Sequence, residues 1–240
     1  MMEKDAHTHH ISQQFNDELE RVRSHLLEMG GMVESQVSDA VHSLIEADSA
    51  RAEAVRANDK RINSMELSID EECIRILARR QPAASDLRLV IAVTKGITDL
   101  ERIGDEARKI AEQAIQLSEG GQAPKGYVEV RHIGQLVVRM LHEALDAFAR
   151  LDVNLALSVI EQDKRVDIEY ASAMRELVTV MMEDPRSISR VLNIMWSLRS
   201  LERVGDHARN LAEYVIYLVK GEDVRHLGFQ EMSSRVKSDR

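Results

Sequence analysis

Little in this chain is aromatic, stiff or oxidisable. A single cysteine among 240 residues, Cys73, excludes an internal disulfide and fits a reducing compartment. Its expected role is that of a small apolar filler on a helix. Aromatic residues make up 3% of the chain, so the core must be aliphatic and filled by some of the 11 methionines. No run approaches the ~18 consecutive apolar residues of a membrane span, and the polar, His-rich start does not resemble a secretory leader. A cytoplasmic location is therefore expected. Positive charge is also short: 32 Lys and Arg against 41 Asp and Glu give a net charge of −9, which excludes broad nucleic-acid binding through phosphate contacts. What is present, 44% hydrophobic and 30% charged residues, describes a soluble, helix-rich globular chain and not a disordered one. His7, His9 and His10 fall on what should be a frayed N-terminal tail, with only stray affinity for metals.

The three prolines act as punctuation. Pro82 and Pro185 separate long stretches of helical periodicity, and Pro124 lies in the Gly-rich segment Ser118–Gly126. Because proline inside a helix costs about 3 kcal/mol, the stretches between them can run as single helices. Leu89, Val93, Ile97, Leu100, Gly104 and Ala107 show the i, i+3, i+4, i+7 apolar spacing of one helix face. Six helices are predicted, over 10–46, 50–80, 84–118, 127–150, 153–183 and 186–220. Short turns within each half make neighbours antiparallel. The fold class is all-α, with two tandem, sequence-related three-helix bundles. The first occupies 1–118, a linker 119–126 and the second 127–220, and 221–240 forms a polar tail expected to be mobile.

The relation between the halves is written in the sequence. Leu100-Glu101-Arg102-Ile103-Gly104-Asp105 returns 101 residues later as Leu201-Glu202-Arg203-Val204-Gly205-Asp206, and windows carried to Ile115 and Ile216 agree at 10 of 16 positions. Asp59-Lys60-Arg61-Ile62 returns as Asp163-Lys164-Arg165-Val166 at an offset of 104, which places a three-residue difference near the second turn of each half. Packing alone would keep apolar spacing and let the charges drift, yet the same acids, glycine and arginine are kept twice.

Glu101 and Asp105 share a helix face, as do Glu202 and Asp206, and such like-charged pairs repel mildly on a bare helix. Counting from the turn prolines, Asp59 and Asp105 lie equally far from Pro82, at 23 residues, and Asp163 and Asp206 lie 22 and 21 residues from Pro185. On antiparallel helices Asp163 and Asp167 should thus face Glu202 and Asp206, and Asp59 and Asn63 should face Glu101 and Asp105. Converging oxygen ligands suit hard or borderline divalent cations such as Mg, Mn, Fe or Zn. Gly104 and Gly205, each costing about 1 kcal/mol in a helix relative to Ala, would be kept for a close helix approach or for room for an ion. The competing reading is a salt-bridge ladder, because Arg108 and Arg209 lie three residues after Asp105 and Asp206 and four before Glu112 and Glu213. A di-iron carboxylate enzyme needs two E-x-x-H pairs and only Glu129/His132 is found; Trp196, aligned with Lys95, is expected to have a core or packing role and not to mark a site.

These phrases, together with the turn Arg80-Gln81-Pro82-Ala83-Ala84-Ser85-Asp86-Leu87-Arg88, resemble the PhoU family of phosphate-transport regulators over about residues 12–220. The resemblance implies paired three-helix bundles with multinuclear metal sites, iron or zinc in some members. The metal residues would be Asp59, Glu101, Asp105, Asp163, Asp167, Glu202 and Asp206, with Asn63 weakening the first site. It also implies a cytoplasmic negative regulator linking the ATPase subunit of the phosphate ABC transporter to a membrane sensor histidine kinase, peripheral to the membrane through these partners. Arg80, Asp86 and Arg88, in a turn that Met182–Arg186 does not repeat, are the candidate partner contacts. An exposed apolar stripe on long helices would fit a homodimer. A carboxylate-bridged oxidase or phosphohydrolase is the alternative, and a purely structural bundle the third reading.

Overall fold

The computed structural model describes residues 2–82, 84–119 and 127–238. Among these, six long helices alternate with short turns: α1 (Met2–Glu46), α2 (Ser49–Arg80), α3 (Ala84–Glu119), α4 (Tyr127–Arg150), α5 (Val153–Glu183) and α6 (Ile188–Lys220). A 3-10 turn, Pro185–Ser187, leads into α6, and a short α7 (Phe229–Ser238) follows it. The predicted limits of α2 to α6 agree within two residues, whereas α1 begins at Met2 and not at residue 10, so His7, His9 and His10 fall within its helix. The linker beyond Glu119, with Pro124, lies outside the described residues, as do the side chains of His7, His9 and His10.

The turns show the duplication at atomic scale. Asp48 caps α2 by accepting from the Arg51 amide at 3.0 Å, and Asp152 caps α5 by accepting from the amides of Asn154 and Leu155 at 2.9 and 3.1 Å. Each such cap is worth ~1 kcal/mol. The residue before each cap, Ala47 and Leu151, sits in the left-handed region at φ 54° and 53°. These pairs are separated by the same 104 residues that relate Asp59 to Asp163. The second turns differ: Gln81 ends α2 in the left-handed region, whereas Asp184 ends α5 and caps the 3-10 turn through the Arg186 amide. The three-residue difference read from the sequence is located here.

Within each half the third helix packs on the first two, and the halves join along α3–α6 and α1–α4. At the α1–α4 crossing a methyl on Gly134 would lie 2.8 Å from Val41, and one on Gly30 would press on Leu145. Gly30 and Gly134 are again 104 apart, as are Val41 and Leu145, so the two halves clasp each other by one contact used twice. The core is aliphatic, with Met29, Met140 and Phe148 sealed within it. Cys73 is buried, and burial pushes its thiol up to about 11.

Two expectations are corrected. Trp196 does not pack in the core; it is 64% exposed among the described residues. The segment after Gly221 is not a featureless tail. Gly221 closes α6 at φ 75°, donating its amide to Tyr217, and α7 returns to pack against α5 with Met232 fully buried. Val224 and Val236 are buried too, and Leu227 and Phe229 pack against the core, so scattered apolar residues dock an otherwise polar segment.

Candidate metal centres

In the second half, α5 and α6 bring Asp163, Asp167, Glu202 and Asp206 into one electrostatic neighbourhood, as their matched heights require. Asp163 is only 3% exposed. Burial raises the pKa of Asp163, Glu202 and Asp206, and the neighbouring carboxylates add to the rise. Two arginines offset part of the repulsion. Arg209 donates to Asp163 Oδ2 at 3.1 Å and to Glu213 Oε1 at 3.1 Å, and Arg199 donates to Glu202 Oε1 at 2.8 Å. The other oxygen, Glu202 Oε2, is buried without a hydrogen-bond partner.

The first half repeats the plan in weaker form. Asp59 and Glu101 are raised by burial first, with Asp105 adding to both. Arg108 reaches Asp105 at 3.2 Å, Glu112 at 2.6 Å and Asp59 at 3.5 Å. Asp59 Oδ1 and Asn63 Oδ1 are buried and unpartnered. Sequence reasoning missed Glu66, whose charge bears on Glu101 and whose own pKa burial raises. It lies seven residues after Asp59 on the same face of α2, a spacing that could have flagged it. Its counterpart in the second half is Tyr170.

The ladder and metal readings therefore share the same atoms. As placed, no three carboxylate, imidazole or thiol groups among the described residues converge closely enough to hold a metal ion, and arginines supply the positive charge. The donor chemistry nonetheless fits a metal. All the candidates are oxygen donors, several are buried where their charge is disfavoured, and three acceptor atoms in the two clusters lack any partner. Gly104 serves the close approach inferred for it, a methyl there lying 3.3 Å from Ile62; Gly205 does not, since a methyl there would lie at ordinary contact, 3.6 Å from Val166 and 3.8 Å from Asp163 Oδ1. The E-x-x-H pair is taken up elsewhere, His132 facing Glu169 on α5 at 3.5 Å.

The three candidate partner contacts are divided. Arg80 clamps α2 to α1 by donating to both oxygens of Glu18 at 2.8 and 2.9 Å, which lowers the Glu18 pKa. Arg88 lies against the α6 terminus, its guanidinium 3.4 Å from where a methyl on Gly221 would sit, and can oppose the negative end of the helix dipole. Asp86 is half-buried in the first turn of α3.

The seam between the halves holds a polar network that sequence reasoning did not find. Asp99 on α3 pairs with His207 Nδ1 at 2.7 Å and accepts from Asn210 at 3.0 Å and from the Tyr214 hydroxyl at 2.7 Å. Asp99 and His207 are both buried. Seven residues along, the buried Glu106 faces Arg203 of α6 and Lys109 of its own helix, each at 2.9 Å. Asp99 aligns with Ser200, and Glu106 with His207, so both acids of the seam sit at positions where the halves differ.

Comparison with known proteins agrees with this architecture. The PhoU domain family matches residues 26–114 and 130–215. A phosphate-specific transport system accessory protein PhoU homolog of Pseudomonas aeruginosa is 68% identical over 240 residues, covering 100% of this chain and 99% of its own. The crystal structure of PhoU from Pseudomonas aeruginosa superposes with a TM-score of 0.85 at 70% identity, covering 87% of this chain and 100% of its own. The phosphate transport system regulatory protein PhoU from Streptococcus pneumoniae superposes with a TM-score of 0.80 at 32% identity, covering 88% and 99%.

Proposed function

This chain belongs to the PhoU family, and from that premise we propose that it is a non-catalytic accessory protein of a phosphate-specific transport system. In this reading it ties the ATPase subunit of the phosphate ABC transporter to a phosphate-sensing histidine kinase and damps the phosphate-starvation response. It works in the cytoplasm and reaches the membrane through its partners; among the described residues no helix is long and apolar enough to cross a membrane. The observation that carries the proposal is the twofold retention of a carboxylate cluster, each copy with one buried aspartate, Asp59 and Asp163.

The same proposal places Fe, Zn, Mg or Mn on those clusters. Asp163, Asp167, Glu202 and Asp206 would form the stronger site, and Asp59, Glu101 and Asp105 the weaker. A bound cation supplies positive charge among carboxylates whose ionised forms burial disfavours. To make room at Asp163, Arg209 would give up that oxygen and keep Glu213. A homodimer belongs to the proposal as well, supported by the exposed Leu67 and Ile74, seven residues apart on α2.

The test is a reporter of a phosphate-starvation promoter, in phosphate-rich medium, in a strain lacking its own copy of the gene. The reporter should be active in the empty strain and silenced by this chain. A reporter that stays active with the protein expressed and folded would overturn the regulatory reading.

A further inference from the structure

We propose that the outward face of the α3–α6 seam is a docking surface for an acidic amphipathic helix of a partner protein. The inference rests on the adaptor reading and gives it a place on the molecule. Along α3, Lys95, Arg102 and Lys109 recur every seven residues and so form one row. Along α6, Leu192, Trp196 and Arg203 follow at intervals of four and seven residues, and because Arg203 pairs with Glu106 on an antiparallel helix this row overlaps the first near Lys109 and continues beyond it. The Asp99 hydrogen bonds and the Glu106–Arg203 pair hold the two helices side by side along their length.

The face is both basic and apolar, in a protein whose net charge is −9. Arg102 is exposed, and the side chains of Lys109 and Arg203 remain 45% and 46% exposed although both touch Glu106. Two cations thus share one carboxylate that is itself sealed from solvent, which leaves a positive surplus at the surface. Trp196 at 64% and Leu192 at 41% exposure supply an apolar anchor beside it. An exposed tryptophan next to arginines is the composition of an interface hot spot. A line of cations running on into an apolar anchor fits a helix presenting apolar residues at i, i+3, i+4 and i+7 and carboxylates beside them. The negative net charge disfavours the other reading, an anionic membrane laid flat across the whole molecule.

Trp196 is the only tryptophan in the chain, so its emission reports directly on this face. The full-length protein is titrated with an 18-residue helical peptide carrying a leucine stripe flanked by glutamates, with its lysine-for-glutamate counterpart, and with phosphatidylcholine vesicles containing phosphatidylglycerol. The acidic peptide should shift the emission to the blue, half-saturating at about 10–100 μM, and the shift should weaken at least fivefold when salt is raised. Arg102→Glu and Arg203→Gln should each weaken it at least fivefold with helix content and melting temperature retained; the second leaves Glu106 its lysine partner. No shift, an equal shift with the basic peptide, or a shift with vesicles alone would overturn the proposal. In the cell, Trp196→Glu should relieve silencing of the reporter while the protein stays at its normal level, and full silencing by that variant would also overturn it. If wild type fails to silence but the acidic peptide shift stands, the regulatory reading falls and the surface does not.

Discussion

The two halves share a fold, capping turns and carboxylate stripes, but they differ in how those stripes are furnished. The second cluster has four acids, with Asp163 deeply buried and one arginine stretched between Asp163 and Glu213. The first has Asn63 in place of the fourth acid, adds Glu66 at its edge, and spreads Arg108 over three carboxylates. Where function holds a pair of charges, the copies agree. Along the α3–α6 seam, where the copies meet through polar groups, aligned positions differ: Asp99 aligns with Ser200, and Glu106 with His207. Duplication supplied two like surfaces, and the seam needed two unlike ones.

The sharpest way to break this comparison is at the seam. Asp99→Ala would leave the His207, Asn210 and Tyr214 groups without their shared acceptor, at a cost of about 3 kcal/mol, whereas Ser200→Ala at the aligned position should cost less than ~1 kcal/mol. Thermal melting should show a fall of about 6–12 °C for the first and a barely resolved change for the second. Equal effects would mean that the network is not what holds the halves together.

Acidity should act on both halves in the same direction. Asp163, Glu202 and Asp206 have pKa values raised by burial, as do Asp59 and Glu101, so their ionised forms strain the metal-free fold, and protonation relieves that strain. The metal-free protein should therefore gain stability as pH falls from neutral towards the usual carboxylate range, about 4–4.5. Glu18 behaves oppositely. Its pKa is lowered by the Arg80 hydrogen bonds, so its contribution is complete above the unfolded value and is lost as pH falls through the lowered one. Melting curves against pH should rise and then fall, and Glu18→Gln should remove part of the fall below about pH 4. A metal-free protein that loses stability steadily from neutral pH downward would contradict the burial account.

The smallest effect concerns the two glycines. A methyl at Gly205 meets only ordinary contacts, so Gly205→Ala should stabilise the metal-free protein by up to ~1 kcal/mol through helix propensity. At Gly104 the tighter approach to Ile62 should offset most of that gain. Chemical denaturation resolves the difference, and a larger gain at Gly104 would reverse the ranking of the two approaches.

Much of this was legible in the sequence because it is local or repeated. Helix limits followed from apolar period and proline, and the facing of Asp163 with Asp206 followed from equal rise on antiparallel helices. The partner of His207 was not legible, since Asp99 lies 108 residues away and nothing local points to it. The signal that was present is divergence inside a conserved phrase: Glu106 against His207, and Lys109 against Asn210, mark the seam. Trp196 was misplaced because residue type suggests burial, and only the packing of neighbours decides it. Arg80 could be read as a free surface cation until Glu18 was seen to receive it.

The central claim is that the duplicated carboxylates are kept for metal and that the second cluster is the stronger site. It is tested most directly by elemental analysis of the purified protein after mild chelation and repletion, beside Glu202→Ala/Asp206→Ala and Glu101→Ala/Asp105→Ala double variants. The account expects stoichiometric metal in the wild type, a large loss in the first variant and a smaller one in the second. Equal, near-zero metal in all three would return these residues to an arginine–carboxylate ladder.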